Sequence, residues 1–95
     1  MSAWGSSQRV ETTRGEVLFT ATEAFIWECL RAAAGRPVSA QEIVRLVWGG
    51  FASKHTVMAN VGRMRRKLAH VGVRIGSDPY PPSGRGYWIE EESGE

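Results

Sequence analysis

An α+β architecture, three helices set between two β-hairpins, is what this 95-residue sequence predicts. Three observations carry that expectation. Two stretches, "TATEAF" and "SAQEIV", each place a Thr or Ser three residues ahead of a Glu at the head of an apolar run, the signature of a capped helix start. A third, "SKHTVMANVGRMRRKLAHV", spaces Val57, Val61, Met64 and Leu68 by 4, 3 and 4 residues, the interval of one helix face. Finally, residues 76–84, "GSDPYPPSG", separate two β-prone stretches with three prolines and two glycines, and read as irregular.

The elements follow in chain order. "QRVETTRGEVLFT" alternates about Arg14-Gly15 and predicts a short hairpin, its second arm from Glu16 to Phe19 the more strand-like. Thr20 caps the first helix and Glu23 closes the capping box. Phe25 or Ile26, with Cys29, Leu30 and Ala33, forms the apolar stripe; Gly35 ends the helix, with Pro37 beyond it. Ser39 and Glu42 repeat the device for a second helix, whose buried face is Ile43, Val44, Leu46 and Val47 and whose stop is Gly49-Gly50. Ser53 caps the third helix. The short connection from Trp48 to Ser53 makes helices two and three a tight helix–turn–helix unit. Gly72 breaks the third helix, Val73 to Ile75 reads as a strand, and "RGYWIE" resumes strand character with Tyr87, Trp88 and Ile89. The sum is a winged helix-turn-helix: a three-helix core with a short N-terminal β-hairpin and a C-terminal β-hairpin wing. The whole chain, 1–95, is expected to be one domain, with 1–8 and 91–95 as flexible tails.

Charge is partitioned along the chain. Residues 1–42 carry four Arg and five Glu; residues 43–89 carry eight Lys or Arg against Asp78 alone; "EEESGE" closes the chain with four Glu. The middle block, net +7, suits a polyanionic partner, although a solvated basic helix face has the same composition. A single cysteine, Cys29, excludes an internal disulfide and favours a reducing compartment. Its place in an apolar helical pattern points to burial rather than reactivity. "MSAWGSSQRV" lacks the apolar run of a signal peptide, and no stretch approaches the roughly 20 apolar residues of a membrane span. These features predict a cytoplasmic protein with no membrane partner.

The third helix holds the sharpest functional signal. At about 100° per residue, His55, Ala59, Gly62 and Arg66 lie opposite the Val57–Leu68 stripe, flanked by Thr56 and Arg63 on one side and Met58 on the other. That free face is small in its middle and basic along its C-terminal half. Glycine inside a helix costs roughly 1 kcal/mol relative to alanine, so Gly62 implies a need for close approach. A DNA major groove fits: Ala59 and Gly62 remove bulk while Arg63 and Arg66 reach phosphates or guanine edges. Close approach of another protein helix is the alternative, disfavoured by the cost of burying arginines. Lys54 and Lys67 extend the basic surface along the same helix. Arg85, between two glycines in "SGRGYW", is placed to enter the adjacent minor groove, or to be solvated beside a turn shaped by Gly84 and Gly86. Tyr80 reads as a loop-filling aromatic.

From about Leu18 to Ile89 the chain resembles the OmpR/PhoB-type winged-helix effector domain of bacterial response regulators, on "LFTATEAFIWECL", "GRPVSAQEIVRLVWG", "HTVMANVGRMRRKL" and "GRGYWI". The resemblance implies sequence-specific double-stranded DNA binding and transcriptional control. The third helix (about 53–69) would lie in the major groove and the wing (about 76–86) at the minor groove or backbone. It also implies an RNA polymerase contact through the loop after helix two, here Gly49, Gly50 and Phe51, and binding as a homodimer or in tandem. The chain departs from the family pattern in Met58 for Asp, Asn60 for His, Ser83 for the wing arginine, a hairpin for the N-terminal sheet, a longer wing loop and the lack of a receiver domain. The Met1 start favours a free-standing protein. The competing function is a protein-interaction module on the same fold, an anti-regulator or polymerase-binding protein. An enzyme is disfavoured: His55 and His70 sit far apart on one helix, so no catalytic residues are assigned, and no metal ligands or cofactors are expected.

Overall fold

The structure, a computed structural model, describes residues 7–78 and 86–90. Among them lie seven elements: β1 (Ser7–Thr12), β2 (Gly15–Thr20), α1 (Ala21–Ala32), α2 (Ala40–Trp48), α3 (Lys54–Leu68), β3 (Arg74–Asp78) and β4 (Gly86–Glu90). This is the α+β winged helix–turn–helix the sequence predicts.

Each helix begins where its cap dictates. Thr20 accepts from the Glu23 backbone N–H at 3.1 Å, and the Glu23 carboxylate accepts from the Thr20 N–H at 3.0 Å, a complete capping box. Ser39 accepts from the Glu42 N–H, and Ser53 from the Thr56 N–H. The ends differ. Gly49 closes α2 in the left-handed conformation at φ 62°, as its position predicts. α1 stops at Ala32, and the left-handed residues that follow are Ala34 and then Gly35.

Two antiparallel pairs flank the helices, β1 with β2 and β3 with β4. In the first, Val10 faces Val17 and Gln8 faces Phe19. β1 is a full strand beginning at Ser7, inside the segment expected as a tail and as regular as β2. In the second pair, Ile75 faces Ile89 and Gly76 faces Trp88. β3 therefore runs through Gly76, Ser77 and Asp78, where the prolines and glycines of 76–84 predict irregular structure. The reason lies at Gly76: any Cβ there would overlap the Trp88 indole, so the glycine lets the ring lie across the strand. Val38, between α1 and α2, adds a bridge to the far side of β4. Its N–H donates to the Tyr87 carbonyl at 2.8 Å and its carbonyl accepts from the Tyr87 N–H at 2.9 Å.

The core gathers Val17 and Phe19 of β2, Ile26, Trp27 and Leu30 of α1, Ile43 and Val44 of α2, and Val57, Val61, Met64 and Leu68 of α3. Phe19 and Trp27 meet at 5.9 Å between ring centroids. Of the two residues offered for the α1 stripe, Ile26 is buried and Phe25 exposed. Leu46, expected on the buried face of α2, is 48% exposed, because it lies about 100° round the helix from Val47, off the face that Ile43 and Val44 turn inward. Cys29 is half-buried. Burial, with Glu28 and Glu42 nearby, raises its thiol pKa and keeps it protonated.

Candidate nucleic-acid interface

The core fixes the rotation of α3 about its axis. Val57, Val61, Met64 and Leu68 are all buried. The opposite face and its flanks carry His55, Met58, Ala59, Arg63 and Arg66, all exposed, with Thr56 and Lys67 half-buried at the edge; Lys54, also exposed, stands in the first turn about 60° round from Val57. The basic residues concentrate in the last turn, where Arg65, Arg66 and Lys67 also complement the negative end of the helix dipole. Gly62, itself half-buried, lies among these residues, and a Cβ built on it would meet nothing within 4 Å. Packing inside the described fold therefore does not require glycine at this position.

The cations of α3 are not equivalent. Arg65 turns toward the wing: its Nε and Nη2 donate to the Ile75 carbonyl at 3.1 and 2.8 Å, and Nη2 also donates to the Ser77 hydroxyl at 2.9 Å. This arginine ties β3 to α3. Arg63 and Lys67 converge on Glu23 of α1, whose side chain is fully buried. Arg63 Nε lies 3.3 Å from Oε2 and Lys67 Nζ 2.5 Å from Oε1. Burial pushes the Glu23 pKa up, but the Lys67 ammonium, the Thr20 N–H and the Arg63 guanidinium outweigh it and hold the carboxyl below its ordinary value. A buried carboxylate held by two cations and a backbone donor is fully compensated. Arg63 also donates from Nη2 to Asn60 Oδ1 at 3.1 Å, while its side chain stays 49% exposed. Among the described residues, the side chains of Arg66 and Lys54 make no hydrogen bond or ion pair, so their charges are unshared.

Sequence reasoning missed three of these residues. Glu23 is legible as a cap, but its reach across to α3 is not, because the two helices meet only in the folded chain. Asn60 sits beside the Val57–Met64 stripe, and that position is the signal that could have marked it as buried. Arg65 lies on the flank of α3 that faces β3. Arg85 and Tyr80 fall outside the described residues.

The turn between α2 and α3 presents another feature. Gly49 and Gly50 both have positive φ, and Phe51, which follows, is 93% exposed. The described residues contain no group of three or more His, Cys, Asp or Glu able to hold a metal ion, and none of their helices is long and apolar enough to cross a membrane.

Comparison with known proteins agrees with this architecture. The chain is 33% identical over 85 residues to the sensory transduction protein BceR of Bacillus subtilis, a match covering 87% of the chain and 36% of that protein's length. Among solved structures, the DNA-binding domain of Bacillus subtilis CssR superposes with a TM-score of 0.67 at 23% identity, covering 90% of this chain and 100% of that one. The DNA-binding domain of the response regulator AdeR, in complex with an intercistronic region, superposes at 0.65 with 21% identity, covering 90% and 86%. Residues 14–77 match the family described as "Transcriptional regulatory protein, C terminal". The chain thus belongs to this OmpR/PhoB-type family of transcriptional regulatory domains, a family of regulators rather than of enzymes.

Proposed function

We propose that the chain binds double-stranded DNA sequence-specifically as the reading domain of a bacterial transcription regulator, with α3 in the major groove. One observation carries this reading: the face of α3 turned away from the core is exposed, basic and small, with Arg63 and Arg66 beside the open position at Gly62. A groove-inserted helix needs such a profile, and an arginine there can donate two hydrogen bonds to a guanine edge. The AdeR domain, of the same fold, is a DNA complex. The wing, with Arg85 between its glycines, would reach the minor groove or backbone. Reading chromosomal DNA would place the protein at the nucleoid, in the cytoplasm.

A second surface supports a protein contact alongside DNA. Phe51 stands almost free of the fold, and Leu46 of α2 is half exposed. In this reading Gly49, Gly50 and Phe51 meet RNA polymerase while α3 holds DNA. The alternative, a pure interaction module with no DNA affinity, leaves the outward charges of Arg66 and Lys54 without a role.

Selection of bound duplexes from a random pool, followed by titration at several salt concentrations, tests the proposal. Enrichment of one motif, repeated if copies bind in tandem, with affinity falling steeply as salt rises, is the expected result. Retention of no duplex at low salt would refute it.

A further inference from the structure

Asn60 is buried on α3, only 6% exposed, yet it belongs neither to the apolar stripe nor to the free face. A buried amide requires partners. Its Nδ2 donates to the Thr56 carbonyl one turn back at 2.9 Å. Its Oδ1 accepts from Arg63 Nη2 at 3.1 Å. Arginine has donors alone, so the amide must turn its oxygen toward Arg63. On its other side, Arg63 gives Nε to Glu23, a carboxylate itself fixed by Lys67 and the Thr20 N–H. The planar guanidinium is therefore held at two of its nitrogens by two buried acceptors. Its remaining N–H groups, on Nη1 and Nη2, carry no partner among the described residues. Arg66, on the same face, has no such clamp.

We infer that Asn60 is a positioning residue for base reading: together with Glu23 it holds the Arg63 guanidinium in one orientation, so that its unused N–H edge meets the duplex as a preformed donor pair. The inference rests on α3 being the DNA-reading helix. Two physical consequences follow. An arginine already held surrenders less rotamer freedom on contact than a free one. A fixed fork also matches acceptors at one place on the groove floor and misses a base pair that presents them elsewhere. The clamp acts on discrimination more than on total affinity, to which unclamped cations contribute equally on any sequence.

The test uses the duplex enriched from a random pool and a series of single base-pair exchanges in it. The position read by Arg63 is the one at which Arg63→Ala loses discrimination. At that position, Asn60→Ala and Asn60→Ser, whose side chains cannot reach the guanidinium, should lower the ratio of cognate to exchanged affinity by about fivefold or more, the lower end of a good bidentate base contact. Asn60→Ala combined with Arg63→Ala should be no less specific than Arg63→Ala alone. Asn60→Asp keeps an oxygen toward Arg63 but sets its second oxygen against the Thr56 carbonyl, so its ratio should exceed that of Asn60→Ala without reaching wild type, and its added negative charge lowers affinity for both duplexes. The serine variant stands in if the alanine variant does not fold. If the Asn60 variants melt earlier but keep the full ratio, Asn60 is structural and the inference falls while the DNA-binding reading stands. If Arg63→Ala loses discrimination at no position, Arg63 is not a base reader and the inference falls as well. If wild type binds no duplex, the reading of α3 fails and takes the inference with it.

Discussion

Glu23→Gln should convert a pH-dependent part of the protein's stability into a measurable difference between two variants. The wild-type carboxylate accepts from Arg63, Lys67 and the Thr20 N–H while fully buried. Hydrogen bonds to a charged group contribute about 1.5–3 kcal/mol each. Arg63 and Lys67 are partly exposed and regain water when released, which discounts their share. Glutamine can still cap Thr20. The expected loss near pH 7 is therefore about 2 kcal/mol in total, or roughly 8–16 °C in Tm for a domain of this size. The sign with pH is fixed by linkage. The folded-state pKa of Glu23 lies below its ordinary value of 4.5, so its contribution is complete above that value and is lost as pH falls through the folded pKa. Urea unfolding of both variants, from about pH 7 down to about pH 3, should show a gap that shrinks toward the acid end. Other carboxylates titrate in both proteins and cancel from the difference. A gap independent of pH, or below about 0.5 kcal/mol at neutrality, would refute the ion-pair account.

Gly62→Ala should raise stability by up to about 1 kcal/mol in thermal melting, since nothing lies within 4 Å of the added methyl, whereas Gly62→Leu should fold normally and weaken duplex binding. Gly86→Ala should destabilise by about 2–3 kcal/mol in urea titration, because φ is +117° and a Cβ would overlap the Val38 carbonyl. Arg66→Ala should weaken binding to all duplexes and lower the slope of log affinity against log salt by about one if it neutralises a phosphate, as titration at several salt concentrations will show. Arg85→Ala should weaken binding more on sites with an A·T-rich flank than a G·C-rich one, measured on two duplexes differing only there; an equal loss would indicate a phosphate contact instead.

The helices are legible in the sequence because their signals are local. Thr20, Ser39 and Ser53 each satisfy an N–H three residues along, and that spacing holds before any tertiary contact forms. The core face of α3 is equally legible, because a period of 3.6 residues needs no partner to define it. What escapes is what depends on two distant segments meeting. Glu23 and Arg63 lie 40 residues apart, and Arg65 and Ile75 ten. Gly76 reads as a strand breaker until Trp88 is placed against it; in the fold it is what allows the strand. On the candidate site, the free face of α3 follows from periodicity, but its division into a clamped arginine, a tether to the wing and an unshared arginine does not.

The double anchorage of the wing has a consequence for how such a protein can change. Arg65 grips β3 from α3, and Val38 grips β4 from the opposite edge. Both strands of the hairpin are thereby clamped, β3 near its start and β4 near its loop end, within the register from Arg74↔Glu90 to Asp78↔Gly86. Residues inserted or removed between Asp78 and Gly86 leave both grips in place, and closing a longer loop costs only about 0.6 kcal/mol for each doubling of length. The connection between the strands is thus a replaceable bit on a fixed handle: its length can drift or be engineered while the placement of α3 against the hairpin stays constant.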